Sequence, residues 1–487
     1  MEFSNAIARV DRAAGEALER AVEGHHLRRL RRVGWQRILE PDNNGLRVGG
    51  DPPVREGNNV EIHIDGADAL PAMQRAMVEA RSHIYLANWF LSPDFRLVRG
   101  APGSSGDGPT IRELLAELAT RVEVRVLLWS GPPVPWSHVG RLDVKRTHDE
   151  LTRGTKVRCL LDHRQRPLHA HHEKILIIDD QVAFVGGIDH TDLRGDRFDS
   201  AEHALRDGVG WHDMAAELRG PAAADVAAHF RLRWDGVSGE RLPPARPGER
   251  AGASDVQVIA TIPQAIYASV PRGVYRILEA YRRALSSARH LIYIENQFLW
   301  SPEIVHVLRQ KLLAPPEDDF RVLLLLPARP STGTDDTAGQ LATLLEADHD
   351  NRLFASTVYS RVGPQSRAVY VHAKLAIVDD RWLTVGSANL NDHSLFNDTE
   401  VNLAVYDQEI ARSTRERLWA EHLELPVSGV SGHPTAVIDE LWRPLAEEQY
   451  LRRAAGEPMT HRLAKLPHVS RRSGRLLGPL QNLLVDG

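Results

Sequence analysis

Two short stretches of this chain place an imidazole and an ammonium two residues apart, His172-Glu-Lys174 and His372-Ala-Lys374. Each runs on through four aliphatic residues to an aspartate, Asp179 in one case and Asp379 in the other. Alternate residues of a β-strand share a face, so within each stretch the histidine and the lysine point the same way. Two imidazoles and two ammonium groups brought to one spot suit a phosphodiester. The lysines neutralise the non-bridging oxygens, where transition-state charge gathers. One histidine attacks phosphorus and the other protonates the leaving oxygen, which divides one hard displacement into two easier steps that water or an alcohol completes.

A nucleophilic histidine needs its second ring nitrogen held by an acceptor, which fixes the tautomer and stabilises positive charge. Asp199, in Arg197-Phe-Asp199, and Glu400, in Asn397-Asp-Thr-Glu400, follow their respective histidines at nearly equal distances, and each is expected to orient one imidazole. One His-x-Lys stretch alone is a common accident of sequence. Here the pattern occurs twice, and Gly186-Gly187 and Gly386-Ser387 stand at the same distance beyond. Asp179 and Asp379 read differently: an aspartate at a strand end is commonly a turn residue, so they are expected to support the motif without direct chemistry.

The elements that must carry these groups also come in two copies, and self-similarity is an architectural signal. Ser82-His-Ile-Tyr-Leu-Ala-Asn-Trp-Phe-Leu-Ser-Pro93 echoes the stretch from Leu291 to Pro302, and Val122–Leu128 echoes Phe320–Leu326. Each reads as a buried strand after a helical stretch. The predicted fold is α/β, with two α/β/α sandwich lobes related by an approximate two-fold axis and one shared active site at their interface. The expected divisions are an N-terminal helical segment over 1–55, a first lobe over 56–240, a Gly- and Pro-rich linker over 241–255, a second lobe over 256–430 and a basic extension over 431–487.

A chain of 487 residues with 42% hydrophobic and 26% charged residues is an ordinary globular balance, long enough for two cores. The net charge of -5 argues against a surface devoted to nucleic acid. Cys159 is the one cysteine, so no intramolecular disulfide forms, which points to the cytoplasm. The N-terminus lacks the apolar run of a secretory signal, and the longest aliphatic run, ending at Pro327, is far short of the roughly 20 residues a membrane span needs. Membrane contact is therefore expected to be peripheral.

At the paired motifs the chain resembles the phospholipase D superfamily, whose signature is a duplicated His-x-Lys-x4-Asp followed by Gly-Gly or Gly-Ser. The resemblance covers about residues 60 to 425. It implies two α/β/α lobes with one shared site, a phosphohistidine intermediate and no metal or other cofactor. Tyr293-Ile-Glu-Asn-Gln-Phe298 resembles a segment of the phosphatidylcholine-type enzymes, as do Gly187-Ile-Asp189, Arg197-Phe-Asp199 and Trp211-His-Asp213 followed by Gly220-Pro221. By that resemblance His172 is the nucleophile, His372 the general acid and base, and Ser387, Asn389 and Asp189 lie at the bound phosphate. An ionised Asp189 cannot donate to a phosphate oxygen, which departs from a symmetric cradle. The partners implied are a phospholipid and a water or alcohol acceptor.

Three functional readings remain open at this level: headgroup hydrolysis or phosphatidyl transfer, including cardiolipin synthase-type transfer; a nuclease or other non-lipid phosphodiesterase; and an inactive scaffold, which the intact His–Lys pairs argue against. At the ends, Ile7, Val10, Ala14, Leu18 and Val22 recur at helical spacing and predict an amphipathic helix docked on the core. Arg28, Arg29, Arg31 and Arg32 beside Trp35 are either a solvated face or a contact for anionic headgroups. The C-terminal stretch from Arg462 through Lys465 to Arg475 has the same basic character, interrupted by Gly474 and Gly478-Pro479.

Overall fold

The computed structural model describes residues 17, 20–39, 45–100, 106–132, 139–166, 169–206, 208–329, 334–467 and 469. The first half contains β1 (Arg55–Ile64), β2 (His83–Asn88), β3 (Glu123–Trp129), β4 (Arg158–Asp162), β5 (Lys174–Ile178), β6 (Val182–Gly186), β7 (Trp211–His212) and β8 (Met214–Arg219). The second contains β9 (Ser254–Ile262), β10 (Val274–Tyr275), β11 (Leu291–Asn296), β12 (Arg321–Leu325), β13 (Leu353–Val362), β14 (Gln365–Ala368), β15 (Tyr370–Val371), β16 (Lys374–Val378), β17 (Trp382–Gly386) and β18 (Glu400–Val405).

The halves repeat one pairing scheme. In the first, β2, β3 and β4 are parallel neighbours, and β2, β5, β6, β8 and β1 follow one another antiparallel. In the second, β11, β12 and β13 are parallel, and β11, β16, β17, β18 and β9 are antiparallel. The two schemes meet where β1 pairs with β9 at Arg55 and Asn58. The expected repeat is thus present in these seven strands of each half, whereas β10 and β14 have no counterpart among the described residues of the first.

Burial on both sheet faces explains why the motif strands read as unbroken aliphatic runs. Ile175 and Ile177 of β5, with Leu375 and Ile377 of β16, enter one core shared by both halves, where Trp234 and Trp419 bring in the helices Ala223–Ser238 and Gln408–Leu423. The alternate residues Leu176 and Ile178 face the outer helices of the first half, and Ala376 and Val378 those of the second. Each half is therefore a helix–sheet–helix sandwich.

Asp179 and Asp379 sit where the hairpins β5–β6 and β16–β17 turn. Each is followed by a second aspartate, and all four residues have positive φ, from 50° to 59°. Two consecutive residues in that region make the tight turn that matches strand twist, and aspartate tolerates it better than most residues. The Asp179 carboxylate accepts from the backbone N–H groups of Arg81, Ser82 and His83, each at 2.8 Å. Asp379 does the same for Arg289, His290 and Leu291, also at 2.8 Å. The motif aspartates thus tie their hairpins to the starts of β2 and β11.

The ends are more tightly docked than their basic character suggests. Arg29, on a helix over 20–33, is buried and bonds Gln264, Asn397 and the Phe396 carbonyl, so it is a packing residue and not a headgroup contact. Arg28, Arg31 and Arg32 are exposed. Beyond the second half, a strand β19 (Leu463–Lys465) adds to the edge of β13 with Leu463 fully buried. Ile7, Val10, Ala14 and Leu18, and the basic stretch from Arg471 onward, lie outside the described residues. No helix among the described residues is long and apolar enough to cross a membrane.

Because Asp179 satisfies three backbone donors from a left-handed conformation, Asp179→Ala is expected to cost about 1–3 kcal/mol. Asp179→Asn, which retains an acceptor and tolerates the conformation, is expected to lose less. Urea unfolding midpoints of the two variants check this order.

Candidate active site

Two short parallel ladders join the halves, and each delivers one motif histidine to the opposite half. Tyr370–Val371 pairs with Trp211–His212, and the N–H groups of His372 and Ala373 donate to the His212 carbonyl at 2.8 and 3.1 Å. On the other side His171 bridges to Thr399, and the His172 N–H donates to the Thr399 carbonyl at 3.0 Å. The residue after each carbonyl is a carboxylate, Asp213 and Glu400. His372 Nδ1 accordingly lies 2.6 Å from Asp213 Oδ2, and His172 Nδ1 lies 3.0 Å from Glu400 Oε1. Each imidazole is held by the half that does not carry it.

Asp199, the expected partner of an imidazole, is elsewhere. It accepts from His203 Nδ1 at 2.9 Å and pairs with Arg206. Asp213 takes the place, because β8 and not the Asp199 loop corresponds to β18. Only 13 positions separate Ser387 from Glu400, whereas 26 separate Gly187 from Asp213, so equal spacing selected the wrong residue. The segment Trp211-His-Asp213 and the strand behind it carried the signal.

Other expected residues are placed as follows. Lys174 Nζ lies 3.3 Å from Asp189 Oδ2 and donates to the His172 carbonyl at 2.6 Å. Lys374 donates to the His372 carbonyl and to Gln297 Oε1 at 3.3 Å. Asp189 lines the cavity, where it counters a lysine. Ser387 does not line it: its hydroxyl donates to Glu400 Oε2, while its carbonyl lies 3.2 Å from His172 Nδ1, so it positions the carboxylate and the imidazole. Ser394 donates to Glu400 Oε1 at 2.6 Å. Asn389 is fully buried two residues beyond Ser387.

His172 and His372 line one cavity of about 120 Å³, with Trp89, Trp211, Gln297 and Tyr370 among its walls. The Trp211 and His372 rings are 4.3 Å apart, and the Arg197 guanidinium lies 3.3 Å over Trp211. Gln297, from the Ile-Glu-Asn-Gln-Phe segment, donates to the Tyr370 hydroxyl at 2.8 Å and so links Lys374 to the cavity wall. Arg197, Trp211, Gln297 and Tyr370 were not singled out from sequence as site residues. Their segments were visible, but their convergence was not.

Burial, then the positive charges of Lys374, Lys174 and Arg197, hold the His372 imidazole well below its usual range, leaving it neutral with Nδ1–H donating to Asp213. Burial pushes Asp213 up to about 7 against the pull of the two lysines. Burial likewise pushes Glu400 up to about 8, opposed by Lys174 and by the hydroxyls of Ser387 and Ser394. Gly187 is required beside this arrangement: a Cβ there would stand 2.2 Å from Asp213 Oδ1. At the matching position of the second half, a serine fits and bonds the carboxylate.

The fold and cavity define a duplicated α/β protein with a single centre of paired His–Lys groups. A family model described as phospholipase D matches residues 76–210, and one described as cardiolipin synthase, PLD-like domain, matches residues 281–421. The chain belongs to the phospholipase D superfamily. It is 26% identical over 464 residues to phospholipase D A of Dictyostelium discoideum, covering 77% of this chain and 36% of that protein. It is 26% identical over 553 residues to phospholipase D alpha 3 of Arabidopsis thaliana, covering 77% and 66%, and 25% identical over 478 residues to phospholipase D2 of Bos taurus, covering 74% and 51%. The chain thus spans about a third to two thirds of the length of these curated relatives. Phosphatidylserine synthase of Haemophilus influenzae Rd KW20 superposes with a TM-score of 0.49 at 13% identity, covering 74% of this chain and 85% of that one.

Asp213→Asn removes the acceptor charge behind His372, and Gly187→Ala drives that carboxylate from its place. Each is expected to lower phosphodiester turnover about 10²-fold or more, measured as kcat. A second expectation concerns stability. The Glu400 carboxyl titrates near 4.5 when unfolded and at about 8 when folded, so the folded state holds the extra proton between those values. Its contribution is complete below about pH 4.5 and is lost as pH rises through about 8. Glutamine has no such proton to lose, so the Tm of Glu400→Gln relative to wild type is expected to increase between about pH 5 and about pH 9.

Proposed function

We propose that the protein is a phospholipid phosphodiesterase that cleaves the headgroup ester through a phosphohistidine and passes the phosphatidyl group to water or an alcohol. The observation that carries this reading is the convergence of His172 and His372 on one cavity, each with Nδ1 held by a carboxylate from the opposite half. With Nδ1 occupied, Nε2 is the nitrogen left for chemistry.

His172 attacks phosphorus: a P–N bond forms as the P–O bond to the headgroup breaks, and His372 gives its proton to the departing oxygen. His372 suits the acid role. A phosphodiester anion between Lys174 and Lys374 offsets the positive charge that depresses its pKa, so the imidazole takes up a proton on binding and releases it readily. In the second step neutral His372 draws a proton from water or alcohol, the new P–O bond forms and the P–N bond breaks.

The apolar wall of Leu193, Val209, Trp211 and Tyr370 favours a lipid over a nucleic acid. A wider cleft of about 510 Å³ shares Val209 and Tyr370 with the cavity and carries Arg329, Tyr359, Tyr450 and Arg453, giving the lipid body room beside the reacting phosphate. Cardiolipin synthase-type transfer, with a glycerol-bearing lipid as acceptor, is the second reading, supported by the description of the model that matches residues 281–421. Either activity calls for peripheral contact with a membrane surface, which we assign to the cytoplasmic side in keeping with the single cysteine.

Headgroup release from mixed phospholipid vesicles containing phosphatidylglycerol, with ethanol present, tests the proposal. Wild type is expected to release headgroup and to form phosphatidylethanol, and His172→Ala and His372→Ala to lose at least about 10³-fold of both. Cardiolipin as the dominant product selects the second reading. A folded wild-type protein that turns over no lipid overturns both.

A further inference from the structure

The ladder that delivers His172 to the second half carries, at its start, three side chains that the phosphodiester chemistry does not use. His169 comes from the first half, and His393 and Asp398 come from the second. Each places one ligand-type atom within 4.8 Å of the other two. We propose that His169, His393 and Asp398 form a binding site for a zinc-type divalent cation that straddles the two halves.

The spacing is that of a coordination shell. His169 Nδ1 is 3.2 Å from His393 Nδ1 and 3.5 Å from Asp398 Oδ1. Ligands held about 2.0–2.2 Å from a tetrahedral zinc stand about 3.3–3.6 Å from one another. Two facing imidazole nitrogens share one proton at most, whereas a cation between them takes a lone pair from each. Asp398 Oδ2 and His393 Nε2 are buried and make no hydrogen bond.

The carboxylate also lacks a cation from within the chain. Elsewhere in the fold such groups have one: Arg233 bonds Asp162 and Glu173, and Arg231 pairs with Asp180. Asp398 is 1% exposed, and among the described residues no lysine or arginine pairs with it; its ion-pair partner is His169. Against burial, which acts upward, the His169 bond and the charge of His393 hold its carboxyl below the usual range, so it is ionised in the fold. A buried carboxylate calls for a compensating cation. A divalent ion supplies that charge, and any proton held by a coordinating imidazole nitrogen leaves as it binds.

The backbone holds these groups in place beforehand. His393–Asn397 form a single π turn, and the Asp398 N–H donates to the His393 carbonyl at 2.7 Å. Single π turns are frequent at functional sites. The Ala170 N–H donates to Asp398 Oδ1 at 2.9 Å, and the Thr399 N–H donates to the Ala170 carbonyl at 3.1 Å. The His169 side chain is 20% exposed, which gives an ion a route from solvent and leaves the fourth position to water.

The other ladder has no such group. By the register of Tyr370 with Trp211 and of His171 with Thr399, Val369 and Trp211 occupy the positions of His169 and Asp398. An ion held by the first ladder ties the halves together where His172 crosses between them. That role leaves the phosphodiester chemistry to the paired motifs.

The test uses full-length protein stripped with chelator and titrated with Zn²⁺ by calorimetry, with Co²⁺ as a spectroscopic probe. Wild type is expected to take up a Zn²⁺ equivalent, to show the visible bands of four-coordinate cobalt and to gain Tm with Zn²⁺. Loss of an outer partner of a metal ligand costs about 10–100-fold in affinity, so loss of a ligand is expected to cost at least about 100-fold. His169→Val installs the residue type of the matching position, and Asp398→Asn keeps an acceptor for the Ala170 N–H while removing the charge. Both are expected to fold and to lose that equivalent together with its cobalt bands. His203→Gln, in the separate group of Asp65, His203, His212 and Glu421, is expected to keep them. Absence of stoichiometric uptake by folded wild type overturns the proposal. So does uptake that is unchanged in both His169→Val and Asp398→Asn, which would put the ion elsewhere.

Discussion

The site depends on an exchange across the interface between the halves. Each motif histidine is delivered by a strand of its own half, yet its backbone N–H and its Nδ1 are both held by consecutive residues of the other, Thr399 with Glu400 or His212 with Asp213. Backbone ladders fix the separation that the carboxylate–imidazole bonds require, so orientation of the imidazoles and association of the halves are one property. The shared core of Ile175, Ile177, Leu375 and Ile377, with two tryptophans, supplies the burial that keeps those ladders closed.

Burial on that scale makes every charge near the cavity conditional on its neighbours. Lys174, Lys374 and Arg197 are brought together before any phosphate arrives, and their field holds His372 neutral. Asp189 and Gln297 offset part of it by accepting from or pairing with the lysines. In the proposed reaction a bound phosphodiester would complete the balance, because negative charge is what this arrangement lacks. Preorganised positive charge of this kind acts at the transition state without reorganisation.

The duplication holds in the order of the seven matched strands and departs in the connections between them. Between β17 and β18 the chain crosses in a short loop, and Ser387 and Ser394 fix Glu400 directly. Between β6 and β8 the longer segment adds Arg197 and Trp211 to the cavity and places His203 beside Asp65 and Glu421. The first half thereby gains cavity walls and a second polar cluster, while a glycine replaces the serine because Asp213, a shorter side chain, approaches its backbone more closely.

By itself the sequence determined much of the protein: the α/β repeat, the paired His–Lys strands, the turn roles of Asp179 and Asp379, and Glu400 as the partner of an imidazole. These are legible because strand periodicity, aliphatic runs and tight-turn residues are local properties. Tertiary structure decided what depends on register across the interface. Asp213 displaced Asp199, Ser387 proved to hold Glu400, Asp189 to counter Lys174, and Arg29 to be packed inside. Spacing along a chain fixes which residues share a strand face, but a loop of unequal length between matched strands breaks equal spacing, and only the hydrogen-bonded ladders between the halves specify which carboxylate meets which histidine.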